Sequence, residues 1–394
     1  MAGALEGVRV IDLSNVVSGP MAVQMLADQG ADVVKVEQPN VGDISRLMGQ
    51  ERGGLTAMFA VLNRNKRSIA LNLSDPEGRE VLFDLVRGAD IIVQNFRPGT
   101  MDRMGIGYDT LQEINPDLIY ASISGFGDDG PYSRRRVYDP VIQGVTGFAA
   151  CQEAPRSGQP ELIRNIVCDK ATALTAAQSI TAALFARERG AGGQYIEISM
   201  VDSGLAFLWP DGMWNNTMVG DGIRPMPPLS EAYQITQTSD GFVTYLCVSD
   251  AEWQGMCRAM GKPELGTDPR YATVMDRLGR LDELIGMMDE ELAQWTSDEI
   301  CARLDAEEVP YAKVNPLDEV HKDPQICHRG SIVEIDHPEA GTMRMPAPPA
   351  RFGKTPSDIR SQAPLLGQHT DEVLAELGRS AEQIATYHAD GVVD

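Results

Sequence analysis

The chain has 394 residues, and its composition, 43% hydrophobic and 23% charged, is ordinary for a soluble globular protein with one large and one smaller domain. Its net charge of −23 repels nucleic acid and anionic membranes, which excludes both as expected partners. The six cysteines are scattered without a CxxC motif, so neither a disulfide framework nor a zinc site is predicted.

The beginning of the sequence, MAGALEGVRV, lacks a basic segment followed by an apolar one, so no secretory signal is predicted. The longest weakly polar run, residues 171–186, is too short and too polar to span a membrane. We therefore expect a cytoplasmic protein. Residues 1–140 carry 14 of the 34 basic residues but only 19 of the 57 acidic ones, which favours this part as the host of an anionic ligand.

The first 37 residues predict a βαβ unit, with strands at 8–13 and 31–36 around a helix at 21–28. Such a unit implies a right-handed crossover and a parallel sheet. Ligands of these sheets bind beyond the carboxyl ends of the strands, which would put residues 15–19 at the mouth of a site. A plain surface loop explains this stretch equally well.

A second βαβ unit follows, with strands at 68–72 and 90–94 around a helix at 76–87 that Asp75 is suited to cap. The second of these strands leads into a polar and cationic loop at 95–99. A further strand is predicted at 118–123, after two short helices. The pattern as a whole predicts an α/β fold with a Rossmann-like parallel sheet.

Two basic clusters and one glycine-rich loop need interpretation. The cluster of Arg64, Lys66 and Arg67 is either a solvated surface run, which its pattern favours, or an anion site, whereas 134–136 is the densest positive patch. Residues 125–130, GFGDDG, match the dinucleotide motif GxGxxG, but two aspartates would face the pyrophosphate and a proline follows where a helix should run. We predict a tight turn there, with its backbone exposed to a ligand.

An alanine-rich helix is predicted to start at Asp169 and to stop at Gly190, before a strand that begins at Gln194. The local pattern favours Asp169 as the helix N-cap. A carboxylate at a helix start also stays ionised in a positive field and could attack a thioester, and the two interpretations are compatible. The neighbouring Cys168 is a possible nucleophile, but a small buried side chain is the favoured interpretation.

The rest of the chain predicts a hairpin at 232–248, three acidic helical segments between 250 and 305, and a last helix at 370–377. Strands are also predicted at 310–314, 331–336 and 342–346. No histidine precedes His321 and no GxSxG motif occurs, which argues against a Ser-His-Asp triad. The predicted domains are a large α/β domain (1–218), a linker (219–228), a small α+β domain (229–325) and a C-terminal segment that returns to the large domain (326–394).

Several motifs now stand in a recognisable order: GVRVIDLS, LADQGADVVKVEQP, NRNKRSIALNL, NFRPGTMDRMGIGY, SGFGDDGPY and GGQYIEISMVDS. Together they resemble the class III CoA-transferases, the relatives of formyl-CoA transferase, carnitine CoA-transferase and alpha-methylacyl-CoA racemase. The resemblance covers nearly all of residues 5–205 and is weaker beyond. It implies acyl-CoA and a small carboxylic acid as substrates, with coenzyme A as co-substrate and neither a metal nor a redox cofactor.

In the transferases of this family an aspartate accepts the acyl group, and Asp169 matches that position. Arg103 and Arg136 suit the phosphates of coenzyme A, and Phe96 suits the adenine or the pantetheine arm. The coenzyme A contacts that the resemblance implies are Val17, Ser18, Gln38, Leu71, Asn72, Leu73, Ser74, Asn95, Phe96, Arg97, Arg103, Arg136, Val137, Tyr138 and Asp139. The family also implies an interlocked homodimer.

Two alternatives to transfer stay open: a 2-methylacyl-CoA racemase and a catalytically idle CoA-binding scaffold. The racemase branch has a histidine where this chain has Tyr138, and racemisation needs a base near neutrality, so transfer is favoured. Oxalate-specific members carry a glycine run where residues 226–229 read MPPL, which argues against oxalate as acceptor. Trp209 and Trp214 indicate either a bulky acyl pocket or, as the favoured interpretation, core packing.

Overall fold

The computed structural model describes residues 2–152, 158–228 and 233–394. The chain forms two compact units, one made of residues 1–208 with 327–394 and the other of residues 209–326. In the described ranges no helix is both long and apolar enough to cross a membrane.

The secondary structure of the described residues is as follows. The strands are β1 (Arg9–Asp12), β2 (Asp32–Glu37), β3 (Glu51–Arg52), β4 (Leu55–Thr56), β5 (Lys66–Ala70), β6 (Ile91–Gln94), β7 (Ile119–Ser124), β8 (Gln194–Ser199), β9 (Gln234–Gln237), β10 (Phe242–Tyr245), β11 (Tyr311–Lys313), β12 (Ile332–His337) and β13 (Gly341–Pro346). The α-helices are α1 (Ser18–Asp28), α2 (Ala57–Asn63), α3 (Pro76–Arg87), α4 (Thr100–Arg103), α5 (Tyr108–Ile114), α6 (Asp139–Thr146), α7 (Phe148–Cys151), α8 (Val167–Ala186), α9 (Met200–Gly212), α10 (Trp214–Thr217), α11 (Asp250–Ala259), α12 (Val274–Leu278), α13 (Leu281–Leu292), α14 (Ser297–Ala306), α15 (Pro324–Arg329), α16 (Thr370–Glu376) and α17 (Ala381–Ala389).

The first unit is built on a six-stranded sheet in the order β5-β2-β1-β6-β7-β8, in which every neighbouring pair is parallel. The predicted Rossmann-like sheet is therefore confirmed. From β1 the chain adds β2 and β5 on one side and then β6, β7 and β8 on the other. The strand order thus reverses between β1 and β6, which is where sheets of this type bind ligands.

Helices α1 and α8 pack together on one face of this sheet. Small and branched side chains of α1, such as Ala22 and Val23, share a buried cluster with Ala173, Ala176 and Ile180 of α8. Small side chains let the two helices approach each other closely. Each helix returns the chain from the end of one parallel strand to the start of the next, so both begin at the carboxyl edge of the sheet.

Helix α8 differs from the prediction at its start. It begins at Val167, its N-cap is Ile166, and the cap makes no side-chain hydrogen bond. Asp169 is therefore the third residue of the helix, and the interpretation of this side chain as the N-cap is wrong. The carboxylate is left to interact with groups outside its own helix.

The basic cluster of Arg64, Lys66 and Arg67 is not a solvated run. Lys66 belongs to β5 and is 2% exposed. Its buried ammonium is paired with Asp12, whose Oδ2 lies 2.8 Å away. Arg64 is equally buried against Asp28, and Arg67 bridges Asp32 and α16. The prediction failed because a local charge count does not show that these cations face carboxylates from distant parts of the chain.

The second unit is a small α+β assembly. Strands β9 and β10 form the predicted hairpin, and β11 extends it into an antiparallel sheet. Its core contains Trp253, Met256 and Leu304. Trp209 and Trp214 are 40% and 36% exposed, so the core-packing interpretation of these two tryptophans is wrong.

The C-terminal residues complete the core of the first unit on the face opposite α1 and α8. Leu374 of α16 and Ile384 of α17 join the cluster that contains Ile11 and Leu71. The chain does not close with the helix at 370–377 as predicted, because α17 follows it. Val393 then pairs with Leu71 as an isolated bridge.

We expect Leu374→Ala to lower the free energy of unfolding by about 2–5 kcal/mol, because its fully buried side chain would leave a cavity in this core. The urea-unfolding midpoint measures the loss. Glu372→Ala on the same helix is the matched control. It removes only a half-exposed ion pair with Arg67, and we expect less than about 1 kcal/mol. Equal losses in the two variants would contradict the role of α16 in this core.

Candidate active site

The loops that follow β1 and β6 meet where the strand order reverses. The N–H of Asn15 donates to Asn95 Oδ1 at 2.8 Å, and Asn95 Nδ2 donates back to the carbonyl of Asn15 at 2.7 Å. This reciprocal pair fixes the two loops to each other. The first of them leads directly into α1, so the pair also fixes the position at which α1 begins.

Asp169 lies between the starts of α8 and α1. Its carboxylate faces the hydroxyl and the backbone N–H of Ser18, the first residue of α1, and both groups favour its ionised form. Its own backbone N–H donates to Asp139 Oδ2 at 3.0 Å. Asp139 is the first residue of α6 and is 2% exposed. The first turns of α1, α6 and α8, which are distant in the sequence, thus meet at Asp169.

Gln143, one helical turn after Asp139, fixes the segment that leads into α8. Its side-chain amide donates to Asp139 Oδ1 at 2.6 Å and to the carbonyl oxygens of Ile163 and Asn165 at 3.1 and 3.2 Å. Its carbonyl oxygen accepts from the N–H of Ile163 at 2.9 Å. Gln143 was not predicted from the sequence, although its spacing of four residues from Asp139 on a helix is a signal that pairs the two side chains.

The environment of Asp169 makes its carboxylate unusually basic. Burial and, after it, the nearby charge of Asp139 together raise the pKa of this group to about 6, although the contacts with Ser18 act in the opposite direction. The start of α8 also favours the ionised form. At neutral pH the group is therefore mostly ionised and more basic than an ordinary carboxylate.

Cys168 does not have the properties of a nucleophile. It is buried, and burial raises the pKa of its thiol to about 12, with the charges of Asp139 and Asp169 contributing in the same direction. The thiolate, which is the reactive form, is therefore scarce at neutral pH. The favoured interpretation of Cys168 as a small buried side chain agrees with its burial.

The other predicted contacts lie on segments that follow the strands of the main sheet. Val17 and Leu71 are buried, as is Asp139. Asn72, Leu73, Asn95, Phe96 and Val137 are half-buried, and Gln38, Ser74, Arg97, Arg103, Arg136 and Tyr138 are exposed. The structure brings Ser18 and Asp139 to Asp169 and pairs Asn95 with Asn15. Leu71 and Asn72 instead contact the C-terminal residues, since the N–H of Asn72 donates to the carbonyl of Val392 at 2.8 Å.

The glycine-rich loop after β7 is a turn held by acidic side chains. The N–H of Asp128 donates to Glu197 Oε1 at 2.8 Å, and its carboxylate accepts from the hydroxyl of Tyr195. Carboxylates at these positions suit a pyrophosphate poorly.

In the described part of the chain, no three His, Cys, Asp or Glu side chains converge as a metal ion would require.

The parallel sheet, with a buried carboxylate at its carboxyl edge, defines the first unit as an α/β domain of the Rossmann-like class. The chain belongs to CoA-transferase family III, whose family model matches residues 5–370. The resemblance seen in the sequence and the assignment to the CoA-transferases are thereby confirmed. Enzymes of this class use CoA thioesters as co-substrates.

Individual relatives match almost the full chain. A formyl-CoA:oxalate CoA-transferase from Bradyrhizobium sp. (strain ORS 278) is 35% identical, with 100% of this chain and 98% of the relative covered. A succinyl-CoA:glutarate CoA-transferase from Homo sapiens is 33% identical, with 99% and 90% covered. The crystal structure of a CAIB/BAIF family protein from Brucella suis is similar with a TM-score of 0.84 at 33% identity, and the match covers 96% of this chain and 100% of that one.

We expect Asp169→Asn to make the protein more stable than the wild type at pH 7.5, by on the order of 2–3 kcal/mol. The pKa of about 6 in the folded state lies above the ordinary value of 3.8, so the folded protein holds this proton more tightly than the unfolded chain. Wild-type stability is therefore lost as the pH rises from about 4 to 6, and the variant escapes this loss.

Thermal unfolding midpoints between pH 4 and pH 8 measure this effect, and the two proteins should converge toward pH 4. Asp109→Asn is the control, because Asp109 also lies in the first turn of a helix but is exposed. A constant difference between Asp169→Asn and wild type at every pH would show that the carboxylate is not penalised by burial.

Proposed function

We propose that the protein is an acyl-CoA:carboxylate CoA-transferase that works through a covalent intermediate on Asp169. The observation that carries the proposal is the buried carboxylate itself, with its raised pKa and its position facing Ser18 at the start of α1. The relatives named for formyl-CoA and oxalate, and for succinyl-CoA and glutarate, support both substrate classes, a CoA thioester and a carboxylic acid.

In the first half-reaction an Asp169 oxygen attacks the carbonyl carbon of the donor thioester. The carbon–sulfur bond breaks, the CoA thiolate leaves with the electron pair, and a mixed anhydride with Asp169 remains. The thiolate then attacks the aspartyl carbonyl, and the donor acid leaves as its carboxylate. Coenzyme A is now held on Asp169 as a thioester.

In the second half-reaction the acceptor carboxylate attacks this aspartyl thioester and releases the thiolate again. A second mixed anhydride forms, the thiolate attacks the acceptor carbonyl, and Asp169 leaves as its original carboxylate. All four steps exchange carboxylates and thiolate only, so no proton, electron or metal ion is consumed. Backbone N–H groups at the start of α1 are suited to stabilise the oxyanion of each tetrahedral step.

Coenzyme A is proposed to bind along the carboxyl edge of the sheet through the residues that the family resemblance implies. Arg97, Arg103 and Arg136 are exposed there, so their guanidinium groups are accessible to phosphate oxygens. Phe96 packs with one side against the core, and its half-buried ring suits the adenine or the pantetheine arm.

The acceptor is proposed to be a carboxylic acid other than oxalate. Residues 226–228 of the linker are Met, Pro and Pro, which cannot reproduce the freedom of a glycine run, and Leu229 lies outside the described residues. An acceptor series that includes both oxalate and glutarate distinguishes the two classes named for the relatives.

We further propose that the enzyme is a homodimer, as the family resemblance implies. Phe185, Phe207 and Leu174 of α8 and α9 are each at least half exposed, and this much apolar surface on two helices is typical of a protein interface. Light scattering of the purified protein should give twice the mass of the chain, and Phe185→Asp with Phe207→Asp should lower it. A monomer in the wild type would contradict the proposal.

We expect a covalent adduct on Asp169 when the protein is incubated with a series of acyl-CoAs, detected by intact-protein mass spectrometry. Hydroxylamine should remove the adduct and leave a modified peptide that contains Asp169, because it cleaves activated carboxyl derivatives. Asp169→Asn should form no adduct and transfer no CoA, yet still bind coenzyme A. Retained turnover in this variant would overturn the proposal.

Cys168→Ala is the matched control, because it removes the neighbouring thiol and leaves the carboxylate in place. The variant should still form the adduct, whereas failure to form it would indicate that the thiol of Cys168 is the group that is modified. Incorporation of deuterium from heavy water into a 2-methylacyl-CoA, without an acceptor acid, would indicate the racemase instead. Unaltered acyl-CoA with every acid, together with measurable CoA binding, would indicate an idle scaffold.

A further inference from the structure

A cluster of four buried charges lies below the loop that leads into α1. The buried ion cluster consists of Asp12, Lys35, Asp43 and Lys66, whose side chains are all inaccessible to solvent. Lys66 Nζ lies 2.8 Å from Asp12 Oδ2, and Lys35 Nζ lies 3.0 Å from Asp43 Oδ2 and 3.8 Å from Asp12 Oδ2. The two positive and two negative charges balance.

Members of the buried ion cluster bind the backbone of this loop and of the first turn of α1. Lys35 donates to the carbonyl of Ser14 at 2.7 Å, and Lys66 donates to the carbonyl of Pro20 at 2.9 Å. Asp12 accepts from the N–H of Ser14 at 2.9 Å. These bonds hold the chain on both sides of Val16.

Val16 itself has a strained backbone. Its φ of +69° lies in the left-handed region, which β-branched residues very rarely adopt. Its N–H donates to Asp43 Oδ1 at 3.0 Å, and the same oxygen accepts from the N–H of Ser45 at 2.9 Å. A conformation of this kind persists only where the surroundings enforce it, and the acceptor that enforces it here is Asp43.

We propose that Asp43 is a positioning residue, which holds Val16 in the left-handed conformation so that the hydroxyl and N–H of Ser18 point at Asp169. The proposal rests on the proposed function, because it gives Ser18 and Asp169 their roles. One residue, Val17, separates Val16 from Ser18, so the turn at Val16 sets the direction in which α1 starts. Asp43 touches neither substrate nor the reacting atoms and acts through the loop.

The alternative is that the buried ion cluster serves stability alone. Buried ion pairs contribute little net stability, because desolvation offsets their attraction. Stability also does not require that a valine be kept in a conformation which glycine would adopt freely. The combination of a strained non-glycine residue and a buried acceptor aimed at its N–H favours the positioning role.

The test measures the rate at which Asp169 forms its acyl-CoA adduct, at a temperature where circular dichroism shows every variant to be folded. Asp43→Ala should slow the adduct by about tenfold, because Val16 can then relax and Ser18 turns away. Adding Val16→Gly to Asp43→Ala should restore the rate to within about threefold of Val16→Gly alone, since glycine adopts positive φ without strain. KM for the acyl-CoA should change less than kcat.

Asp28→Asn is the matched control, because it breaks a buried ion pair with Arg64 at the other end of the same helix. It should lower the melting temperature and leave the adduct rate unchanged. An adduct rate that follows the melting temperature in all variants would overturn the proposal, as would a failure of Val16→Gly to rescue Asp43→Ala. Where Asp43→Ala does not fold, Asp43→Asn replaces it, with the same expected rescue.

A second readout separates this proposal from the proposed function. The pKa of Asp169 can be followed by NMR of protein with carbon-13 in its aspartate carboxyl groups, with Asp169→Asn identifying the signal. Loss of the contacts with Ser18 in Asp43→Ala should raise this pKa above its wild-type value, while Asp139 on α6 and Cys168 on α8 still face the group. An adduct-free wild type would refute the covalent mechanism, and an unchanged pKa would refute the positioning role.

Discussion

The contact between α1 and α8 is the interaction on which the candidate site depends. Both helices start at the carboxyl edge of the parallel sheet and pack on the same face of it, so their first turns come together. Alanines along α8 allow the close approach that brings Ser18 to face Asp169. A larger side chain at Ala173 or Ala176 would separate the helices and, with them, the two partners.

The electrostatics of the site result from two opposing effects at one carboxylate. Burial and the charge of Asp139 disfavour ionisation of Asp169, whereas Ser18 and the start of α8 favour it. A balance near neutrality leaves a carboxylate that is ionised yet retains more nucleophilicity than a fully stabilised one. Asp139 therefore has two roles, since it fixes the backbone of α8 through the N–H of Asp169 and also raises the pKa of the neighbouring carboxyl group.

The parallel sheet could be predicted from the sequence, because strands and helices alternate along the chain. Hydrophobic periodicity and turn residues mark each of these elements, and both are local signals. The family also followed from local motifs, and the resemblance pointed to Asp169, whose catalytic role stays a prediction. The starting point of α8 and the burial of Arg64 and Lys66 did not, since both depend on partners far away in the chain. Asp43 shares this limitation, because a side chain that acts by holding a distant backbone has no signature in its own segment, whereas Gln143 has a local signal only in its spacing from Asp139.

The unfavourable features of the first unit are concentrated at the start of α1. A valine with positive φ, four buried charges and a carboxylate with a raised pKa all lie within the few residues that precede or face this helix. Each of them lowers stability or adds little to it. The apolar packing of α1 against α8 and the sheet offsets their sum, so the same helix that carries the strain at one end provides the stability along its length. A site of this kind can be rigid without being stable on its own, because its geometry is enforced by a core that does not take part in the chemistry.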